Sequence, residues 1–315
     1  MNLFLGIDTS AYTTSVALVN EACEIIADER IMLKVEDGER GLRQSEAHFS
    51  HIRNLPFLFE RISAHLTDNR IAAVGVSDRP RRLTDSYMPV FTAGQSVAQC
   101  IASMLRLPLS AFSHQEGHVM AAVGVSEVER QEFIAVHFSG GTSEILSVKV
   151  DGFRFDIDII MGSSDLNAGQ LVDRVGVAMG LPFPSGPHLE RMARDGESEL
   201  TIPSVVTEQG LSFSGAETRA LGMLDNGVQA ETVAFLVLRC IANTLEKAIR
   251  LASEKTGLKT VVLAGGVMSN SLIRERLNQR FEGSGLSLFW SPANLSSDNA
   301  VGTAMLALRQ YQFER

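Results

Sequence analysis

A strand pattern that occurs twice along the chain constrains its fold more than any other feature. Each set has three short strands rich in β-branched residues, then a helical stretch, then a further buried strand. The strands of the first set are "LFLGIDTS", "TTSVALVN", "CEIIADERIML" and "IAAVGVS", and those of the second are "FIAVHFSGG", "TSEILSVKV", "GFRFDIDII" and "KTVVLAGG". Because the two sets share one order, the sequence predicts an α/β protein of two similar lobes with a cleft between them.

Apolar residues at helical spacing connect these strands. We predict helices over 45–66, 93–105, 165–180 and 231–257, and a last helix from Ser296 onward.

Composition excludes several classes of protein. With 315 residues, of which 45% are hydrophobic and 21% charged, the chain is of the globular type and can bury a substantial core. The three cysteines, Cys23, Cys100 and Cys240, are too scattered for a disulfide framework or a CxxC motif, so we expect a reducing, cytoplasmic location. We expect neither a signal peptide nor a membrane span. A net charge of -9 means that RNA, if bound, would need a local patch or a basic partner.

Three strands end in glycine-bearing turns, "GIDTS" at 6–10, "FSGGTS" at 138–143 and "LAGGVMSN" at 263–270. Glycine lets the backbone approach a phosphate closely, and the helix after the third turn can offer its N-terminus to an anion. Each turn alone is explained by a tight chain reversal. Three of them at wide spacing in two matching halves favour a nucleotide laid across the cleft.

The stretch "SHQEGHVMAAVG" places His114 and His118 four residues apart. On a helix such residues share a face, with about 5–6 Å between Cβ atoms, which suits two imidazoles on one metal. The zinc-protease motif has glutamate where this chain has Gln115, and Glu116 projects elsewhere, so we reject that function. Two ordinary helix histidines remain the competing interpretation. A carboxylate, with Asp298 one candidate among 37 acids, would complete a 2-His-1-carboxylate site suited to iron(II) or zinc.

Two further features have both a structural and a functional interpretation. Asp173 lies inside an apolar helical run, so it is either paired with Arg174 or another neighbour, or directed into a site. Arg79, Arg81 and Arg82 form a basic cluster, "RPRR", in an acidic protein. Most such clusters are solvated loops, and a minority bind phosphate or RNA.

Together these pieces resemble one family, the tRNA adenosine threonylcarbamoyltransferases, once called glycoproteases. The matching pieces are "LGIDTS", "SHQEGHVMA", "FSGGTSEILSV", "AGQLVDRVGVAMGLPFPSGP", "LSFSGAET", "LAGGVMSN" and "SSDNA". The resemblance runs nearly end to end and implies the actin/Hsp70/sugar-kinase (ASKHA) fold, with two RNase H-like lobes and a nucleotide and metal cleft between them. It implies an N-terminal lobe at 1–112, completed by the helix at 296–315, and a C-terminal lobe at 113–295.

The resemblance also implies roles for individual residues. The implied metal ligands are His114, His118 and Asp298. The implied nucleotide contacts are His137, Phe138, Ser139, Gly140 and Gly141 along the loop, Asp173 at the ribose hydroxyls, and Gly186 and Asn270.

The resemblance further implies a reaction and its cofactors. In the family, threonylcarbamoyl-adenylate donates its threonylcarbamoyl group to the exocyclic amine of a tRNA adenosine, and AMP leaves. The resemblance therefore implies one divalent metal, iron or zinc, as a Lewis acid, and an adenine nucleotide or adenylate in the cleft. It also implies a related lobe protein and helper proteins of tRNA threonylcarbamoylation as partners, with tRNA held through a partner.

Four segments depart from the family pattern. Where the family has a Cys-Asp-Glu-like segment, this chain has Ala11, Tyr12 and Thr13, and where the family has a histidine after Gly-Gly, this chain has Thr142. The Leu-Lys pair that follows "FSG" in the family is replaced by Ala216 and Glu217. The family's Gly-Pro-Gly loop is replaced by a longer, basic loop at 78–91.

The residues therefore support three hypotheses of function. The first is the inherited metal-dependent transferase. The second is a divergent paralogue that acts as a nucleotide-binding scaffold and regulates a partner. The third is a carbamoyltransferase with a different acceptor, in which the arginines of "RPRR" would bind another anion. Retention of the metal ligands favours the first.

Overall fold

The computed structural model describes residues 1–10, 12–35, 42–83, 86–125, 131–208 and 210–315. The strands are β1 (Asn2–Asp8), β2 (Thr13–Asn20), β3 (Ile25–Met32), β4 (Arg70–Arg79), β5 (Leu109–Ser113), β6 (Glu132–Phe138), β7 (Ser143–Asp151), β8 (Arg154–Gly162), β9 (Val205–Thr207), β10 (Gly210–Ser212), β11 (Thr260–Ala264) and β12 (Ser287–Trp290). The α-helices are α1 (Gln44–Ser63), α2 (Phe91–Leu105), α3 (His114–Val123), α4 (Ala168–Ala178), α5 (Gly186–Ala193), α6 (Ser214–Asp225), α7 (Ala230–Thr256), α8 (Ser271–Phe281), α9 (Ala293–Ser296) and α10 (Val301–Phe313).

The strands form two five-stranded sheets of the same topology. The first has the order β3-β2-β1-β4-β5, and the second has β8-β7-β6-β11-β12. In each sheet the first three strands pair antiparallel and the last two add in parallel. This repeated topology confirms the prediction of two similar α/β units, because a mixed sheet of this order needs the strand-strand-strand-helix-strand succession read from the sequence.

Two helices fill the space between the sheets. Helix α10 packs on β1 and β4 of the first sheet, and α3 packs on α10 and on β11 of the second. One hydrophobic cluster runs through this layer and includes Phe4 and Phe112 from the first sheet and Phe133 and Val262 from the second. Burial of this apolar layer holds the two sheets on either side of α3 and α10.

Glycines bring this inner layer together at close range. A Cβ atom at Gly6 would lie 2.2 Å from the carbonyl oxygen of Ala300, and one at Gly75 would lie 2.6 Å from that of Thr303. A Cβ at Gly302 would lie 1.9 Å from the carbonyl oxygen of Gly117. Since real Cβ atoms do not approach backbone so closely, only glycine allows α10 to contact both β1 and α3. The histidine-bearing helix and the start of α10 are therefore held side by side.

Several predicted elements differ in the structure. The last helix does not start at Ser296: α9 ends there and α10 begins at Val301. The side chain of Asn299 interrupts the helix, since its oxygen accepts the backbone N–H of Val301 and its amide donates to the carbonyl of Leu295. Asp298 consequently lies on a loop. The predicted helix over 165–180 spans only 168–178, and α5, α6 and the β9–β10 ribbon were not predicted. Among the described helices, none combines the length and apolarity that crossing a bilayer requires.

Candidate metal and nucleotide site

The two histidines are the first residue and the fifth residue of α3, directly after β5. A capping box starts this helix: Ser113 accepts the backbone N–H of Glu116, and the Glu116 carboxylate accepts the backbone N–H and the hydroxyl of Ser113. The Glu116 side chain therefore caps the N-terminus of α3 and points away from His114 and His118. This geometry agrees with rejecting the zinc-protease function.

A carboxylate from far along the chain joins the histidine pair. His114 Nε2 and His118 Nε2 lie 3.5 Å and 3.4 Å from Asp298 Oδ1, and the two nitrogens are 3.0 Å apart. The three donor atoms all lie within 4.8 Å of one another. Nitrogen ligands about 2.1 Å from one metal would be roughly 3.0–3.4 Å apart, so the arrangement fits a divalent cation.

Asp8 at the end of β1 fixes the orientation of His114. Its Oδ2 lies 2.8 Å from His114 Nδ1, while its Oδ1 accepts the backbone N–H of Ser10 at 2.9 Å. A carboxylate on the far nitrogen of a metal-ligating histidine sets its tautomer and raises its basicity. No role of Asp8 was predicted from the sequence. The available signal was a charged residue closing the otherwise apolar strand "LFLGID".

The charges of the cluster show a preference for a cation at its centre. Burial alone would lower the pKa of His114, but Asp8 and Asp298 outweigh it and raise that pKa to about 10. Burial and the nearby His114 lower the pKa of His118. Burial would raise the pKa of Asp298, but hydrogen bonds from both histidines hold it far below its usual range. The charged His114 ring thus has Nδ1 beside Asp8 and Nε2 beside Asp298, and a metal ion would replace the proton on Nε2.

His137 lies beside the histidine pair, at the end of β6. Its ring centroid is 4.7 Å from that of His118 and 6.4 Å from that of His114. The resemblance implied a place along the nucleotide, but His137 is not among the residues that line the cleft. The neighbouring Phe138 is fully buried and packs its ring on Phe213.

A cleft of about 310 Å³ extends from Asp298 and collects most of the predicted nucleotide residues. The predicted residues in its lining are Ser139, Gly140, Asp173, Gly186, Asn270 and Asp298. Added Cβ atoms at Gly140 and Gly186 would meet no atom within 4 Å, so the backbone there faces open space. Asp298 of the metal cluster and five of the eight predicted nucleotide residues therefore line one cavity.

Close backbone contacts shape the loop that carries Ser139 and Gly140. A Cβ atom at Gly169 of α4 would lie 2.5 Å from the carbonyl oxygen of Ser139, and one at Gly265 would lie 2.2 Å from that of Phe138. Gly265 also has a φ of 98°, which favours glycine. Gly141 lines an adjoining cavity instead of the cleft itself.

Asp173 and Asn270 reach the cleft from two helices. The Oδ1 of Asp173 accepts the backbone N–H of Ser185 at 2.7 Å, and burial raises the pKa of the carboxyl to about 6. The carboxylate of Asp173 thus accepts a hydrogen bond from a neighbour and also lines the cleft, while Arg174 pairs with Glu217. The side-chain oxygen of Asn270 accepts the backbone N–H of Ile273 and so caps α8 at the cleft.

Comparison with known proteins identifies the family. A family model described as tRNA N6-adenosine threonylcarbamoyltransferase matches residues 29–305. The chain belongs to this family. The protein of that name from Archaeoglobus fulgidus is 29% identical over 309 residues, covering 98% of this chain and 91% of the relative. The one from Bacillus licheniformis is 30% identical over 311 residues, covering 94% and 88%.

Solved structures show the fold. Component A of the (R)-2-hydroxyglutaryl-CoA dehydratase of Acidaminococcus fermentans superimposes with a TM-score of 0.61 at 18% identity, covering 99% of this chain and 100% of the other. A ROK family glucokinase from Streptomyces griseus gives a TM-score of 0.56 at 12% identity, covering 98% and 99%. The protein is thus a member of the threonylcarbamoyltransferase family with the predicted ASKHA fold.

The first of the four departures from the family pattern lies at the cleft. Tyr12 packs edge-on against Phe183 from the opposite side, with centroids 5.5 Å apart, and Ala11 lies outside the described residues. Thr13 also lines the cleft. The backbone carbonyl of Thr142 accepts the N–H of Ser139 at 2.7 Å. The Tyr12–Phe183 pair was not foreseen, because it joins residues from different halves of the chain.

The charge reversal at Glu217 has a local partner. Its carboxylate lies 3.3 Å from a guanidinium nitrogen of Arg174, the residue after Asp173. Ala216 lies on the buried face of α6 and packs into the core. The acid therefore neutralises a cation at the rim of the cavity that contains Gly141 and Arg174.

The basic cluster is largely paired within the protein. Arg79 forms a two-pronged contact with Asp78, at 2.8 and 2.5 Å, and Arg81 pairs with Glu144 at 2.7 Å. Arg82 is exposed and lines a separate cavity of about 300 Å³. Residues 84 and 85 of this loop lie outside the described residues. None of the three arginines is in the lining of the 310 Å³ cleft.

Proposed function

We propose that this protein transfers the threonylcarbamoyl group of threonylcarbamoyl-adenylate to N6 of a tRNA adenosine, with release of AMP. The observation that carries the proposal is a shared cavity. Asp298, a member of the His-His-Asp cluster, lines the same cleft as Ser139, Gly140, Asp173 and the other nucleotide candidates. Family membership supports the same reaction.

The adenylate would lie along this cleft. Gly140 and Gly141 have no side chains that would keep a phosphate from the backbone N–H groups of the 139–141 turn. Asp173, ionised above a pH of about 6, would accept hydrogen bonds from the ribose hydroxyls. Gly186 leaves room at the start of α5, and Asn270 holds the N-terminus of α8 at the cleft.

The metal would be held by His114, His118 and Asp298, with Asp8 orienting His114. We propose iron or zinc, since imidazole and carboxylate donors suit both. When bound, the ion supplies Lewis-acid polarisation of the carbamoyl oxygen. The residues that line the cleft would hold donor and acceptor side by side.

The acceptor has a place beside the adenylate. A cavity of about 210 Å³ adjoins the cleft and shares Tyr12, Gly140, Asp173 and Phe183 with it. An adenosine base in this cavity could stack on the aromatic pair, as unpaired bases do on aromatic side chains.

Partners follow from charge and family. With a net charge of -9, the protein is a poor binder of tRNA by itself, so we propose that a related lobe protein and helper proteins of tRNA threonylcarbamoylation present the tRNA. We propose a cytoplasmic location, because tRNA modification takes place there. We also propose an N-terminal lobe of residues 1–112 and 296–315 and a C-terminal lobe of residues 113–295. Each lobe then contains one five-stranded sheet, except that Ser113, the last residue of β5, falls in the second range.

The other two hypotheses have less support. A different anionic acceptor would need free arginines at the cleft, whereas Arg79 and Arg81 are paired with Asp78 and Glu144, and Arg82 lines a separate cavity. A pure scaffold would have no use for a cation site in which Asp8 orients the ligand His114.

A transfer assay tests the proposal. Metal-loaded protein is incubated with preformed threonylcarbamoyl-adenylate and unmodified tRNA, with and without the helper proteins, and the nucleoside is detected by mass spectrometry. We expect product from the wild type, none from His118→Ala, and wild-type yield from His65→Ala, an exposed histidine far along the chain from the site. Absence of product in every combination, with adenylate still bound, would contradict the proposed acceptor.

A further inference from the structure

Arg274, the fourth residue of α8, joins two backbone segments that lead to the cleft. Its Nε donates to the carbonyl oxygen of Met268 and its Nη2 to that of Ser291, each at 2.6 Å. The guanidinium also lies over the ring of Trp290, 5.1 Å from the centroid. Charged donors make strong hydrogen bonds, and a planar guanidinium fixes the direction of two acceptors at once. A single side chain therefore holds the two carbonyls in one geometry.

The first carbonyl lies on the nucleotide side of the cleft. Met268 belongs to a short 3-10 turn, Gly266–Ser269, between β11 and α8. Its side chain is fully buried, whereas the other three residues of this turn line the cleft. An adenylate in the cleft would thus contact a turn whose backbone Arg274 holds.

The second carbonyl begins the loop that carries Asp298. Ser291 follows β12, and its N–H donates to a carbonyl of β11. Its carbonyl oxygen accepts the hydroxyl of the fully buried Ser296 at 3.3 Å, besides the guanidinium of Arg274. Helix α9, in the middle of this loop, packs on the 3-10 turn. The position of the loop therefore sets where the carboxylate of Asp298 meets the histidine pair.

We propose that Arg274 is a positioning residue that couples the adenylate to the metal ion, so that each ligand binds more tightly when the other is present. The proposal rests on the nucleotide and metal sites of the proposed function. A ligand that fixes the 3-10 turn also fixes, through Arg274, the carbonyl of Ser291 and the loop that leads to Asp298. The second ligand then meets a loop that is already ordered. By thermodynamic linkage, both dissociation constants fall by the same factor.

A purely structural role of Arg274 is the competing explanation, and α8 offers a matched control. Arg276 is half-buried on the same helix, as Arg274 is. Its Nε donates to Oδ1 of Asn243 at 2.9 Å, which joins α8 to α7 and not to the cleft. Arg276→Met therefore removes a guanidinium of similar burial from a place where the proposal gives it no part in coupling.

Calorimetry of the intact protein with AMP and zinc(II) measures the coupling without tRNA or turnover. We expect saturating AMP to lower the Kd of zinc(II) about fivefold or more in the wild type, and zinc(II) to lower the Kd of AMP by the same factor. In Arg274→Met, which keeps an unbranched apolar stem beside Trp290, the factor should fall to about twofold or less. Arg274→Lys keeps a charged donor for one carbonyl, so it should restore part of the coupling. Arg276→Met should keep the wild-type factor, whatever its melting temperature.

Amide hydrogen exchange measures the ordering of the loop directly. AMP alone should slow the exchange of residues 293–298 in the wild type and in Arg276→Met. The same amides should show no slowing in Arg274→Met, because the link from the 3-10 turn to Ser291 is then absent. Loss of fold stability alone would not produce this difference between the two variants.

The possible outcomes separate this proposal from the proposed function. If Arg274→Met keeps the wild-type factor, or if the wild type binds both ligands without coupling, Arg274 is not the link and the proposed transferase is untouched. If Arg274→Met does not fold, Arg274→Lys decides, and a factor equal to that of the wild type overturns the proposal. A wild type that binds neither AMP nor zinc(II) would overturn the nucleotide and metal sites, and the coupling with them.

Discussion

The ionised carboxylate of Asp173 should lower the stability of the folded protein by a measurable amount. Burial raises its pKa from 3.8 to about 6, and the N–H of Ser185 offsets this only in part. An acid whose pKa is higher in the folded state loses its proton first in the unfolded chain. The cost of ionising it therefore appears as the pH rises through about 4 and is complete above about 6.

The variant Asp173→Asn removes this cost. Its side-chain oxygen can still accept the N–H of Ser185, but the amide does not ionise. The shift in pKa corresponds to about 3 kcal/mol at pH 8 and about half of that at pH 5. We expect the free energy of unfolding to rise by up to this amount at pH 8. The same variant should bind the adenylate about 10–100-fold more weakly, because charged hydrogen bonds to the ribose are lost.

Urea denaturation at pH 5 and pH 8, with nucleotide binding by calorimetry, measures both effects. A matched control is Asp165→Asn, since the hydroxyls of Ser212 and Ser214 and backbone N–H groups lower the pKa of that carboxyl. Asp165→Asn should reduce stability at pH 8, the opposite sign. An equal gain for Asp173→Asn at both pH values, or a loss at pH 8, would refute the reasoning.

Three further predictions concern packing, pairing and metal binding. Gly302→Ala should destabilise the fold by several kcal/mol and lower metal content, whereas Gly222→Ala, a helix glycine in open space, should stabilise by about 0.5–1 kcal/mol in thermal unfolding. Arg81→Ala should cost about 1–3 kcal/mol in urea denaturation, because Glu144 would keep a largely buried carboxylate without its cation; no loss would show the pair to be dispensable. Metal binding should release close to one proton per ion at pH 8, because the pKa of His114 is about 10. Calorimetry in buffers of different ionisation enthalpy measures this proton release, and a value near zero would contradict the prediction.

Local patterns determined much of the architecture. Strand alternation and helical spacing depend on near neighbours in the chain, so the two strand sets and the histidine-bearing helix could be predicted from the sequence. The resemblance named His114, His118 and Asp298, and the structure brings these three together. Glu116 could also be excluded, because its direction follows from the helix period.

The tertiary structure decided what depends on residues far apart in the chain. Asp8 on His114, Tyr12 on Phe183 and Arg81 on Glu144 join segments separated by more than 60 residues. Hydrophobic periodicity carries no information about which distant side chains meet, since that depends on how the sheets pack around the inner helices.

The same limit applies to the site's chemistry. Sequence alone supplied the donor residues of the cluster, but their charges follow from desolvation and from carboxylates that only the folded chain places beside them. The sequence by itself therefore determined the fold class, the histidine pair and the glycine turns. Packing of α3 and α10 between the two sheets decided which carboxylates and which third imidazole surround that pair.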